Sequence, residues 1–120
     1  MATDDRTVTI CPYFKVKQGQ MEAFESLCER FVERTQTEPK CHYYGFCFNG
    51  DLVFCREGYE GGEAALAHLE NVDDLLKQAL ELADLEKLEL HGPAGELDKM
   101  RESLAALNPQ YFVLEYGFRR

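Results

Sequence analysis

The sequence predicts an α+β domain: one antiparallel sheet, helices packed on one of its faces, and the other face buried against a second copy of the chain. Three observations predict it. Cys41–Tyr59 (CHYYGFCFNGDLVFCREGY) reads as two aromatic strands folded back at Asn49-Gly50, a favoured hairpin pair because both central residues take φ > 0. Both faces of this hairpin are largely apolar, whereas a hairpin with one wet face alternates apolar with polar. Apolar residues at helical spacing between Met21 and Val32 supply a cover for one side.

In chain order, the first six residues are polar and are expected to fray. Thr7–Val16 alternates, with Val8, Ile10, Phe14 and Val16 on one side and Thr7, Thr9, Cys11 and Tyr13 on the other, which is a strand. Pro12 cannot donate to a ladder, so it marks an edge, a bulge or the strand's unpaired side. After the turn Lys17–Gln20, the residues Met21, Phe24, Leu27, Cys28, Phe31 and Val32 define an amphipathic helix over roughly 20 to 36. It stops before Pro39, since the residue ahead of a proline avoids the α region.

The hairpin follows. With 49–50 as its loop, Phe48 faces Asp51, Phe46 faces Val53 and Tyr44 faces Cys55. Glu60-Gly61-Gly62 then breaks the chain, and Glu63–Leu69 opens a second helix with acid in its first turn, the favourable end. Asn71 reads as a fresh N-cap, so this helix bends or restarts near 70 and continues along Leu75, Leu76, Ala79, Leu80 and Ala83.

Leu85–His91 is ambiguous. Leu82, Leu85 and Leu88 continue a helical spacing, while Leu88 and Leu90 between Lys87, Glu89 and His91 alternate. The strand is preferred because it completes a four-stranded sheet and Gly92-Pro93 ends it. Ala94–Leu107 is expected as a helix and Tyr111–Phe118 as a last strand. The first six elements then have the ferredoxin-like order, with both helices on one sheet face. The open face is expected to carry residues such as Tyr13, Tyr44 or Phe46, a patch too large to leave wet. A homodimer packed sheet against sheet buries it.

Composition narrows the function. The chain's 120 residues make one domain. A formal charge of −9 argues against nucleic acid and anionic membrane surfaces, which need basic patches. There is no apolar run near the roughly 20 residues of a membrane span, and MATDDRTVTI has neither the basic nor the apolar region of a secretory signal, so the cytoplasm is the expected compartment. Five cysteines, an odd number without a Cys-x-x-Cys, read as reduced thiols, and no metal site is expected.

Several stretches together resemble the antibiotic biosynthesis monooxygenase family. They are Phe14–Gly19 with the helix after it, Glu38–Tyr43, and above all Glu57-Gly58-Tyr59 followed by Glu63–Leu69. The resemblance covers about residues 7–91 and implies a dimeric α/β barrel with a pocket between sheet and helices. It also implies a chemistry without metal or flavin, in which an electron-rich quinol or anthrone is deprotonated and reacts directly with oxygen. The sequence departs from the family at Lys40, where glycine is frequent, and at Tyr59, which stands for a tryptophan. The functional residues of the haem-degrading branch would fall near Pro12, His68 and Gln78, and none matches, which disfavours haem degradation.

His68 is the candidate catalytic base, since imidazole titrates near neutral pH; the plainer alternative is a packed helix histidine. Glu57 and Tyr59 are candidates for orienting His68 or a substrate hydroxyl, although for Glu57 a salt bridge to Arg56 or Arg34 is the preferred reading. Tyr13, Tyr44 and Phe46 are candidates to line an aromatic substrate pocket, with core packing the competing role. The ligand expected on this reading is a small aromatic molecule. A non-enzymatic ligand-binding or interaction dimer, or an isomerase, stays open beside it.

Overall fold

The computed structural model describes residues 3–120. Ten residues, Thr7–Val16, form β1; Met21–Thr35 forms α1; Cys41–Asn49 and Leu52–Glu60 form β2 and β3. Gly61–Asn71 is α2, Asp73–Leu82 is α3 and Ala83–Gly92 is β4. Two short helices follow, α4 (Ala94–Asp98) and α5 (Arg101–Leu104), then a 3-10 turn at Ala105–Leu107 and β5 at Gln110–Val113. The five strands form one sheet in the order β2-β3-β1-β4-β5. Its first four strands are antiparallel and have the ferredoxin-like topology, with β5 added parallel to β4 at the edge.

Two apolar clusters lie between the sheet and its helices. One gathers Phe14, Phe24, Phe31, Val53 and Leu75 under α1 and α3. The other gathers Val8, Tyr59, Ala65, Leu90, Leu97 and Met100 under α2 and the C-terminal helices. Among the described residues, no helix is long and apolar enough to cross a membrane.

The hairpin turns one residue later than its sequence indicates. Asn49 pairs with Leu52, so Gly50-Asp51 is the loop, and Gly50 has φ +61°. Glycine in the first loop position with no positive φ at the second matches a type II′ turn, whereas Asn49-Gly50 would have needed two. Phe48 therefore faces Val53, Phe46 faces Cys55 and Tyr44 faces Glu57. Each partner moves by two residues, which preserves the faces but brings Tyr44 beside a carboxylate.

Pro12 is not on an edge: β1 is the central strand. The ladder to β3 passes from Ile10–Glu57 to Tyr13–Phe54 without pairing Cys11 or Pro12. On the other side the β1–β4 register shifts between Tyr13 and Phe14, leaving Glu86 as the extra residue. That bulge explains the ambiguity of 85–91. It lets Leu85 and Leu88, three apart, both pair with residues on the helix-facing side of β1, namely Phe14 and Pro12.

Other boundaries also move. The α2–α3 break falls at Val72, and Asn71 does not cap α3; its amide turns toward Glu38 instead. The expected helix over 94–107 is three short pieces, and the last strand ends at Val113 rather than Phe118. The open-face expectation holds for Tyr13, which pairs with Phe54 there, but not for Tyr44 and Phe46, which pack into the helix-covered core. Of the first six residues, Met1 and Ala2 lie outside the described chain, and Arg6 is held by Glu96 at 2.9 Å.

Candidate active site

Strand parity places Glu57 and Tyr59 on the same face of β3 as Val53 and Cys55, so all four side chains point under the helices and are buried. Glu57 would be an expensive residue to bury alone. Tyr59 answers part of that cost by donating its hydroxyl proton to Glu57 Oε1 at 2.5 Å. His68, on α2, is 2% exposed and brings Nε2 to 3.3 Å from the same Oε1, a close approach without a formed hydrogen bond. Its ring is flanked by Tyr44 and Tyr59, with centroids 5.2 and 4.8 Å away.

The second imidazole nitrogen is held from the opposite side. Nδ1 lies 2.9 Å from Glu38 Oε2, and Asn71 Nδ2 donates to that same oxygen at 2.7 Å. Glu38 sits in the turn between α1 and β2 and is 15% exposed by its side chain, so it stands between the buried imidazole and water. The result is a file of three ionisable groups, Glu57, His68 and Glu38, running from the core to the surface.

Burial sets the electrostatics. Desolvation pushes the Glu57 carboxyl up to about 7, partly opposed by the hydrogen bond from Tyr59. Burial lowers the pKa of His68, and the Glu38 carboxylate pulls in the other direction. Both directions favour the uncharged pair, a protonated Glu57 beside a neutral imidazole. When Nδ1 carries the imidazole proton and donates to Glu38, Nε2 is free to accept. The pair can then act as acid through Glu57 and as base through His68, the arrangement that proton-transfer catalysis near pH 7 requires.

Glu57 and His68 open onto a cavity of about 90 Å³ lying between the two core clusters. Tyr44, Phe46 and Phe31 form part of its wall, and leucines of α3, β4 and α5 form much of the rest. Apart from Glu57, His68 and the Tyr44 hydroxyl, the wall is apolar.

Of the six residues that the sequence singles out, His68, Glu57, Tyr44 and Phe46 thus meet at one cavity. Tyr59 backs it through Glu57 without lining it. Tyr13 does not belong to it, because odd-numbered residues of β1 point to the opposite face; its ring stacks at 4.9 Å on Phe54. Glu57 touches neither Arg56 nor Arg34 in a salt bridge; Arg34 pairs with Asp74 at 2.8 Å, and its place is taken by Tyr59 and His68. Glu38 and Asn71 were missed. Each is remote from His68 or Glu57 in sequence or resembles a turn or cap residue, and only the fold converges them.

The chain is similar to MupZ from Pseudomonas fluorescens, at 45% identity over 97% of this chain and 91% of that one, with a TM-score of 0.92. Its fold is also that of a candidate antibiotic biosynthesis monooxygenase from Nitrosomonas europaea, at 18% identity over 76% and 93% of the two chains and a TM-score of 0.68. A conserved protein from Methanosarcina mazei Go1 is similar at 19% identity over 72% and 89%, with a TM-score of 0.65. No family model and no curated protein matches the sequence.

Proposed function

This chain belongs to the same family as MupZ, on the antibiotic biosynthesis monooxygenase fold, and from that premise we propose that it is an enzyme moving protons on a small, mainly apolar molecule held beside Glu57 and His68. One observation carries the reading: a buried carboxyl whose pKa is lifted to about 7 stands 3.3 Å from a buried imidazole, inside an otherwise apolar cavity. Core packing alone gives no reason to bury two ionisable groups together.

The specific reaction proposed is oxygenation of an electron-rich hydroxyaromatic without a cofactor. His68 Nε2 takes the substrate's acidic proton. The resulting anion gives one electron to dioxygen, and the radical pair combines into a carbon-bound peroxide anion, which takes that proton back from His68 to become the hydroperoxide. His68 then removes the second proton from the same carbon as the O–O bond breaks, and Glu57 protonates the departing hydroxide. A carbonyl is left where the substrate carried two hydrogens, the two oxygen atoms end in the product and in water, and the proton held by His68 returns to Glu57. Water exclusion and placement are the protein's remaining contributions.

Oxygen uptake with a panel of quinols and anthrones tests this. Uptake that depends on the protein and falls at least tenfold in His68→Ala, about 1.4 kcal/mol of barrier, is the expected result. Absence of uptake across the panel overturns the oxygenase reading.

The cavity's size favours a second reading. At about 90 Å³ the cavity is smaller than the roughly 150 Å³ cavity that takes up benzene. Isomerisation of a slimmer, non-aromatic substrate by the same acid–base pair requires no oxygen. Proton exchange into a bound substrate without oxygen uptake would distinguish it.

Assembly as a homodimer in the cytoplasm is part of the proposal. It is supported by the aromatic residues Tyr13, Tyr43 and Phe54 on the sheet face that carries no helix, a surface suited to a self-complementary contact.

A further inference from the structure

The cavity changes character along its length. Its ionisable groups, Glu57 and His68, are buried, whereas two other residues of its wall, Leu80 and Leu107, are 43% and 49% exposed. Between them the wall is continued by Leu76 of α3, Leu85 and Leu88 of β4, and Leu104 of α5. In a chain with 29% charged residues, a wall built of leucines from α3, β4, α5 and the 3-10 turn, two of them exposed, is not the average surface. A scattered exposed leucine needs no explanation, but these six line one cavity.

We propose that the ligand of this cavity carries an unbranched aliphatic chain, which lies along the leucines and leaves between Leu80 and Leu107 while its polar head reaches Glu57 and His68. The inference rests on the reading that the Glu57–His68 end holds the reacting group. Two arguments support it. The cavity of about 90 Å³, which includes the stretch beside Leu80 and Leu107, suits a slim ligand that continues past the exposed leucines. The outer wall also offers no hydrogen-bonding side chain, so a hydroxylated or charged tail would lose its water without replacement. A methylene chain loses nothing there and removes the leucines from water.

Binding of a series of 1-alkanols from butanol to decanol, followed by displacement of an environment-sensitive apolar dye, tests the proposal without requiring turnover. The expected result is an affinity that rises about fourfold per added methylene until the chain passes the rim. Leu80→Asp and Leu107→Asp, both at exposed positions where folding is expected to tolerate them, should flatten that slope. An affinity that does not depend on chain length overturns the proposal, as does a slope that both variants leave intact. A fall in molar mass by light scattering in either variant also overturns it, because a second copy would then be what covers the rim. The chain-length slope persisting in Glu57→Gln, with no turnover of any substrate by the native protein, would uphold the chain site and remove the enzyme reading alone.

Discussion

Glu38 Oε2 holds His68 Nδ1 at 2.9 Å, and the two residues, thirty positions apart, come from the α1–β2 turn and from α2. This contact fixes which imidazole nitrogen faces the cavity. It also opposes the effect of burial on the imidazole, since a nearby carboxylate favours the charged ring. In Glu38→Gln the His68 pKa should therefore fall further, observable in a histidine-ring NMR titration. Enzyme-dependent turnover should fall at least tenfold, and Glu38→Asp should recover part of it. An unmoved His68 titration would show that Glu38 does not act through the ring.

Glu57 makes stability depend on pH. Its carboxyl titrates at about 7 in the folded chain against a reference of 4.5, so the folded protein holds the proton where the unfolded chain has released it. Stability from this group is full below the reference value and is lost as pH rises through the window to about 7. At about 1.4 kcal/mol per pKa unit, the loss is on the order of 3 kcal/mol. Urea unfolding of the native chain and Glu57→Gln should show their difference shifting in favour of the variant from pH 4 to pH 8. A difference constant across that range would refute the buried titration.

Gly62 is the second residue of α2, the helix that carries His68. Its amide donates to Glu96 Oε1 at 2.9 Å, and a methyl group added to it would collide with the Glu96 backbone carbonyl. The obstacle is backbone rather than a flexible tip, so it does not yield cheaply. Gly62→Ala is expected to cost about 1–3 kcal/mol, lowering the thermal midpoint by roughly 4 °C or more. An unchanged midpoint would mean that α2 and α4 separate freely.

The helix-free sheet face carries the fourth prediction. Light scattering should give twice the 13.8 kDa chain mass, and Phe54→Lys should reduce it to one chain. A monomer at micromolar concentration in the native protein would contradict sheet-to-sheet assembly.

Taken by itself, the sequence determined the α+β class, the types of the elements from β1 to α3 and the antiparallel pairing of β2 with β3. These depend on local periodicity, and a period of two is preserved even when a hairpin slips by two residues, as it did around Gly50. It also marked His68, an imidazole on a small apolar helix face, and offered Glu57, Tyr44 and Phe46 beside the alternatives of a salt bridge and core packing. Only the tertiary structure decided the rest. Whether Leu85 and Leu88 belonged to a helix or a strand turned on a bulge at Glu86, which depends on how β4 meets β1. Tyr13 left the site because it lies on the other face of the sheet, although its chemistry resembles that of Tyr44. Glu38 and Asn71 entered it because the end of α1 and the end of α2 come together in space. Burial, and with it the altered protonation of Glu57 and His68, exists only once the chain has closed around them.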